Sequence, residues 1–376
     1  MLSPNHIISK KMKIAFDITS AVKPERTGIA NSILNLVKAI SEIDRENDYY
    51  LCCRLSRLKH YHYLPHIDKN NFYLKIIQEP FNLFFPRQID IFHSGGTRLP
   101  RYKIAKTIVT IPDVLLLLSD EYASREYRQK KLKRYYESAQ KATRINTISN
   151  FSKREIVEHL KVPEEKIDTI HLGIDERYYP QSDKEVQRMR DKYRLIKDYI
   201  LYVGIITKRK NVLRILKAFH LSAREMKNDC ELVMAGKFSW GKEEFFKTMD
   251  DLSLRQKVKL LGYVPDEDLP ALYTGAKIFF FPSLYEGFGI PVLEAMACGT
   301  PVITSNLSSL PEVAGDAALL VDPYDAEALA SALVKLIEDE NLCDDLRQKG
   351  FMQVKNFSWK KAVQEMLEVY NRLNLQ

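Results

Sequence analysis

Residues 281 to 301, FPSLYEGFGIPVLEAMACGTP, restrict the local fold more than any other stretch of the chain. Lys277 to Phe281 is an apolar run of strand length that stops at a proline, and Gly287 and Gly289 loosen the backbone beyond it. Pro291 suits the first turn of a helix, where its missing N–H costs nothing, and Gly299 and Pro301 end that helix. A strand, a glycine-broken loop and a helix in this order place unpaired N–H groups and the positive helix end at the carboxyl edge of a sheet. There α/β proteins bind phosphorylated ligands. Two carboxylates frame the place: Glu286 in the loop and Glu294 in the first turns of the helix.

The rest of the chain alternates in the same manner. Strand-like runs at Ile14 to Ile18, Ile76 to Gln78, Ile89 to His93, Thr107 to Ile111 and Arg144 to Ile148 are interleaved with helical patterns such as Ile29 to Glu42 and Lys153 to Leu160. This is α/β organisation. After the polar stretch from Tyr179 to Asp191 the alternation restarts at Tyr199 to Val203, Glu231 to Ala235, Val258 to Leu261, Lys277 to Phe281 and Pro301 to Thr304. At 376 residues the chain exceeds what one core usually covers. The expected division is a first layered domain over 1–179, a second over 180–355, and a terminal segment, 356–376. In that last segment Trp359, Val363, Met366, Leu367 and Tyr370 recur at helical spacing.

Charge is shared unevenly. Residues 1 to 180 hold 30 lysines and arginines against 21 acids, and the remainder holds 27 against 28, so the net charge of +8 belongs to the first half. A basic half suggests phosphates, those of a nucleic acid or of an anionic membrane. Five cysteines (Cys52, Cys53, Cys230, Cys298 and Cys343) are odd in number and lack zinc-type spacing, which argues against a disulfide framework and for a reducing compartment, the cytoplasm. The longest aliphatic run, Val114 to Leu118, falls far short of the ~20 residues of a spanning helix. Contact with a membrane is therefore expected to be peripheral, on the inner face.

The stretch from Glu286 to Ile303 closely resembles the signature E-G-F-G-x-P-x-x-E-A-M-A-x-G-x-P-V-I of the retaining glycosyltransferases of family 4, mannosyltransferase-like members included. The resemblance implies the glycosyltransferase B architecture: two Rossmann-like domains facing across a cleft, with a C-terminal helix crossing back to the first. It implies that Glu294 accepts hydrogen bonds from a nucleotide ribose, that Glu286 lies near the transferred sugar, that the amides of Phe288, Gly289 and Ile290 face sugar and phosphate, and that Gly287 is among the donor-binding residues. The segment YVGIITKRKN resembles the family's G-T-x-x-x-R-K-N pattern, with Gly204 allowing close approach and Arg209 and Lys210 as the diphosphate cations. Ile205 stands where the family usually has arginine.

Further donor contacts implied by the resemblance are Gly236, at a strand end, and Tyr263 and Val264, in the loop that meets the base. In the first domain KPERTGIANSILNLV resembles the family's glycine loop, with the Gly28 amide near the diphosphate and Arg26 at the cleft mouth. His93 ends a strand, and contact with an acceptor or donor sugar stands beside a satisfied structural role. The family often has His-Asp after the next strand, whereas this chain reads Thr110-Ile111-Pro112-Asp113. Asp266, Glu267 and Asp268 match an Asp-x-Asp metal pattern but immediately precede a helix, where acidic caps are expected. No catalytic metal and no cofactor are expected beyond the co-substrate, a GDP- or UDP-linked sugar.

The expected reaction is transfer of a hexose, mannose first, to a glycan or lipid-linked glycan in cell-surface polysaccharide synthesis. Lys210, Arg209 and Glu286 are its catalytic candidates. The basic stretch REYRQKKLKR, Arg125 to Arg134, with Tyr122, Tyr127, Tyr135 and Tyr136 around it, and the apolar FNLFFP at 81 to 86, read equally well as a surface for anionic lipid or as a solvated helix face and a buried loop. Two other functions fit less well. One is a nucleotide-sugar epimerase or phosphorylase-like enzyme on the same fold. The other is a basic nucleic-acid-binding protein, for which no recognition helix, zinc site or RNP-like aromatic strand is found, so no nucleic-acid partner is expected.

Overall fold

A computed structural model describes residues 11–24, 28–79, 85–86, 88–101, 103–118, 125–226, 229–239 and 241–375. The chain divides into two compact units. The first runs to Gly173 and takes in the last helix; the second is Ile174–Ser358. Where the chain passes out of the first unit and where it returns, Ile174 forms a parallel bridge with Ser358, and its N–H donates to the Phe357 carbonyl at 3.1 Å.

The first unit has, in chain order, β1 (Lys13–Asp17), α1 (Gly28–Ile43), β2 (Asp48–Arg54), β3 (Phe72–Ile77), β4 (Ile91–Ser94), β5 (Thr107–Thr110), α2 (Leu115–Leu118), α3 (Arg125–Lys141), β6 (Arg144–Thr147), α4 (Asn150–Leu160) and β7 (Ile167–Thr169). The seven strands form one parallel sheet in the order β3-β2-β1-β4-β5-β6-β7. The order reverses between β1 and β4, a switch point of the kind at which α/β sheets open a crevice. β2 was not legible as a strand in DYYLCCR, nor was β7. β2 is nonetheless a central strand, buried almost throughout, and Tyr49 stacks on Phe72 of β3 with ring centroids 4.9 Å apart.

The second unit repeats the plan. It comprises α5 (Asp183–Tyr193), β8 (Asp198–Val203), α6 (Val212–Ser222), β9 (Cys230–Ala235), α7 (Lys242–Asp251), β10 (Val258–Gly262), α8 (Leu269–Thr274), β11 (Ile278–Phe281), α9 (Ile290–Ala297), β12 (Val302–Ser305), α10 (Leu310–Ala314), β13 (Leu319–Val321), α11 (Ala326–Glu338) and α12 (Glu340–Val354). Its parallel sheet has the order β10-β9-β8-β11-β12-β13, with the reversal between β8 and β11. Tyr199 to Tyr202 and Ile278 to Phe281, the strands flanking the reversal, are fully buried, as parallel strands covered on both faces must be.

The final helix, α13 (Trp359–Leu375), is a component of the first unit's core. Val363, Met366 and Tyr370 pack with Ile14, Tyr49, Ile91 and Ile108, so residues from opposite ends of the sequence share one apolar cluster. The five cysteines are all buried and unpaired.

Candidate active site

The cation-bearing turn grows out of the end of β8. After Gly204 the chain reaches a short 3-10 turn, Lys208–Lys210, whose Thr207 hydroxyl accepts from the Lys210 N–H at 3.4 Å. Asn211 then takes a left-handed conformation (φ 62°) that asparagine tolerates better than most residues. Its buried side-chain amide donates to the carbonyls of Pro282 at 3.0 Å and Pro323 at 2.7 Å. The Arg209 carbonyl accepts from the Leu284 N–H at 2.9 Å and lies 3.2 Å from Ser283 Oγ, while the Arg209 guanidinium donates to the Tyr285 carbonyl. The turn after β8 and the loop after β11 are thus sewn together along their backbones.

That stitching brings the three catalytic candidates together. Lys210 Nζ lies 2.6 Å and Arg209 Nη1 3.0 Å from the same oxygen, Glu286 Oε1, which also accepts from the Ser283 hydroxyl at 2.6 Å. The Lys210 ammonium sits 4.4 Å from the centroid of the Phe281 ring, a cation–π contact. Glu286 and Lys210 are each only 8% exposed. Burial alone would push the Glu286 carboxyl up, but Lys210 and Arg209 outweigh it and, with Ser283, hold it down at about 2. Burial pulls Lys210 down to about 8, with Glu286 opposing the shift and Arg209 adding to it. At neutral pH the site holds an ionised pair.

Serines fix the loop from below. The Glu286 N–H donates to Ser308 Oγ at 3.1 Å, and Ser308 is itself in the left-handed region (φ 58°). The Ser309 hydroxyl reaches the carbonyls of Glu286 and Phe288, at 2.8 and 2.7 Å. Phe288 is buried and meets Phe357 edge-on with ring centroids 5.7 Å apart, while Gly287 and Ile290 are half-buried at the mouth of α9. Gly289 precedes that helix with φ 116°, and a Cβ there would come 2.8 Å from a Leu310 methyl.

Glu294, on α9, belongs to a second cluster. Its Oε2 accepts from the Tyr273 hydroxyl at 2.8 Å, and the Tyr178 hydroxyl bonds the same carboxyl. Burial pushes this carboxyl up to about 7; the two tyrosines pull the other way, and Asp266 and Asp175 add to the rise. The two glutamates of one motif thus have opposite electrostatic settings.

The strand-end glycines serve the fold first. At Gly236 (φ 153°) a Cβ would lie 1.8 Å from the Gly204 carbonyl oxygen, so the ends of β8 and β9 close up only without a side chain. Ile205 is half-exposed. Tyr263 is 64% exposed with the Lys237 ammonium 5.5 Å from its ring centroid, and Val264 beside it is buried.

Asp268 occupies the position before α8, but its carboxylate does not cap that helix. It binds Lys192 and accepts from the Tyr193 hydroxyl at 2.6 Å, which corrects the capping expectation: a cation and a phenol compete better for a carboxylate than peptide N–H groups do. In the first unit, Gly28 begins α1 and its Cβ position is open space. Arg26, Tyr122 and most of the FNLFFP segment lie outside the described residues. His93 is fully buried, with Nδ1 2.7 Å from the Tyr370 hydroxyl and Nε2 3.0 Å from Thr110 Oγ1. Burial holds its ring neutral, down to about 3. This is the arrangement of a structural histidine. Among the described residues, Glu155, Glu158 and His159 on α4 are the one trio close enough to hold a metal ion.

Tyr178, Tyr273, Asn211, Ser283, Ser308 and Ser309 were not legible as site residues. The hydroxyls carry no spacing signal, because the same residue types serve turns and caps everywhere. Asn211 and Ser283 stood within quoted stretches, YVGIITKRKN and FPSLYEGFG, but neither was singled out.

Two parallel-sheet units of Rossmann type, the second with paired cations and a glutamate at its switch point, define a glycosyltransferase of the B architecture. A sucrose-phosphate synthase from Thermosynechococcus elongatus shares the fold, with a TM-score of 0.76, 19% identity and coverage of 96% of this chain and 99% of that one. Residues 183–353 match the model of glycosyl transferases group 1, and residues 26–178 that of glycosyltransferase family 4. The O-antigen chain mannosyltransferase B of Escherichia coli is 31% identical over 96% of this chain and the whole of that protein. The serotype-specific mannosyltransferase WbdA of Escherichia coli is 31% identical over 71% of this chain, a match that spans 34% of that longer protein. The chain belongs to glycosyltransferase family 4. It is a hexosyltransferase that uses a nucleotide-sugar donor and a glycan acceptor. Among the described residues, no helix is long and apolar enough to cross a membrane.

Proposed function

We propose that this enzyme transfers mannose, with retention of the anomeric configuration, from a GDP- or UDP-linked sugar to a growing cell-surface polysaccharide. The observation that carries the reading is the convergence of Lys210 and Arg209 on Glu286 at the switch point of the second sheet. The name of the full-length relative supports mannose and the polysaccharide setting. In the proposed reaction the bond between the sugar C1 and the donor phosphate oxygen breaks through an oxocarbenium-like centre, and C1 bonds the acceptor oxygen on the same face. The acceptor's proton passes to the departing phosphate oxygen, and the nucleoside diphosphate leaves. Lys210 and Arg209 neutralise the charge that develops on the leaving group, so the proposal calls for no metal and no further cofactor. Glu286 then faces the sugar and Glu294 the ribose hydroxyls.

A lipid-linked acceptor would bring the enzyme to the inner face of a membrane. The seven lysines and arginines of α3, against two acids, support an anionic surface as its resting place. Thermal-shift measurements with GDP-, UDP-, ADP- and dTDP-sugars test the donor, with stabilisation by GDP-mannose expected. Absence of stabilisation by every sugar nucleotide would sink the proposal, and release of product without an acceptor would favour the epimerase or phosphorylase-like alternative.

A further inference from the structure

A cavity of about 650 Å³ opens in the first unit between the loop after β4 and α3. Arg98, Arg101 and Lys103 line it from the loop, and Lys130, Lys133 and Arg134 from the helix. Lys141 adds a further cation, and Glu137 is the one acid among the described lining residues. None of these residues belongs to the donor cluster.

A buried ionic chain fixes the loop wall. Arg54 binds Asp17 at 3.3 Å and Glu79 at 2.8 Å, and the side chains of Arg54 and Glu79 are 7% and 9% exposed. Glu79 also takes the Arg98 guanidinium and accepts from the Arg101 N–H at 3.0 Å. On the helix side, the Ser138 hydroxyl donates to the Thr97 carbonyl at 2.7 Å and ties α3 to the loop. The loop and α3 are therefore anchored to each other with cations lining the cavity from both; Glu137 offsets part of that charge through Lys133, 3.9 Å away, and an anion of multiple charge would offset the rest.

We propose that this cavity binds a diphosphate or similarly charged phosphate group, free in solution or carried by a lipid. The inference does not rest on the donor-site reading. The test is calorimetric titration of inorganic pyrophosphate into the full chain at low salt, and into Lys130→Glu/Lys133→Glu, whose two side chains are exposed. Arg98 is left intact because Glu79 depends on it. The double variant is expected to keep its thermal midpoint and to lose, or weaken at least tenfold, one class of pyrophosphate sites. Binding at the donor cations is a separate class, removed by Lys210→Ala. No pyrophosphate binding by the unaltered chain, or binding that the double substitution leaves unchanged, overturns the proposal. Sedimentation with phosphatidylcholine vesicles carrying a polyprenyl diphosphate, compared with phosphatidylglycerol vesicles of equal charge, distinguishes the sources. Capture by the diphosphate vesicles beyond that by phosphatidylglycerol, reversed by pyrophosphate and lost in the double variant, identifies a lipid-borne group; pyrophosphate binding without such capture identifies a soluble one.

Discussion

Lys210 Nζ and Glu286 Oε1 stand 2.6 Å apart in a site closed to all but a small fraction of solvent, and the lysine rests on the Phe281 ring. Removing one member of a buried ion pair leaves the other charge without its partner, which costs about 3–5 kcal/mol. Here the loss falls at the low end, because Arg209 remains 3.0 Å from the same oxygen. Lys210→Ala is therefore expected to unfold about 3 kcal/mol more easily in denaturant and to lose about 10²–10³-fold in kcat. Near-normal transfer by a folded Lys210→Ala chain would remove the lysine from the chemistry.

The two glutamates titrate in opposite directions. Glu286, held at about 2, contributes stability that is present above the ordinary carboxyl value of 4.5 and is lost as pH falls through about 2. Glu294, raised to about 7, contributes stability that is present below 4.5 and is lost as pH rises through about 7. Glu294→Gln should flatten the fall in thermal midpoint between pH 4.5 and 8. An unchanged pH profile in that variant would place the titration elsewhere.

Gly236 and Gly28 make a matched test of glycine. Gly236→Ala forces a Cβ into the Gly204 carbonyl at a φ alanine rarely adopts, and a loss of ~3 kcal/mol or more, or an insoluble protein, is expected. Gly28→Ala meets nothing within 4 Å and should leave stability unchanged or raise it by up to ~1 kcal/mol. Equal effects in urea unfolding would contradict the close approach of the two strand ends.

Tyr370→Phe removes the hydroxyl bonded to His93 Nδ1, leaving a buried ring nitrogen without that partner. A loss of ~1–3 kcal/mol is expected. Sugar transfer per folded molecule should be unaltered; a selective loss of kcat would give His93 a role in the chemistry.

Much of this was legible in the sequence. The buried strands β8, β9 and β11 announce themselves as apolar runs, and the E-G-F-G segment carries its own loop and helix signals. β2 did not, because DYYLCCR begins on an acid and its register is set by neighbours far along the chain. Asp268 shows the limit on side chains: its place before α8 was legible, but Lys192 and Tyr193, 76 and 75 residues away, claim its carboxylate. The hydroxyls around both glutamates were hidden for the same reason, their meaning lying in partners and not in spacing.

Because Val363, Met366 and Tyr370 complete an apolar cluster begun by Ile14, the first unit cannot finish its interior until α13 has left the ribosome. Synthesis order and assembly order therefore part company. A nascent chain stalled anywhere before α13 would hold an unsealed first unit, and the loss of that helix would be felt around Ile14, more than 300 residues earlier in the sequence.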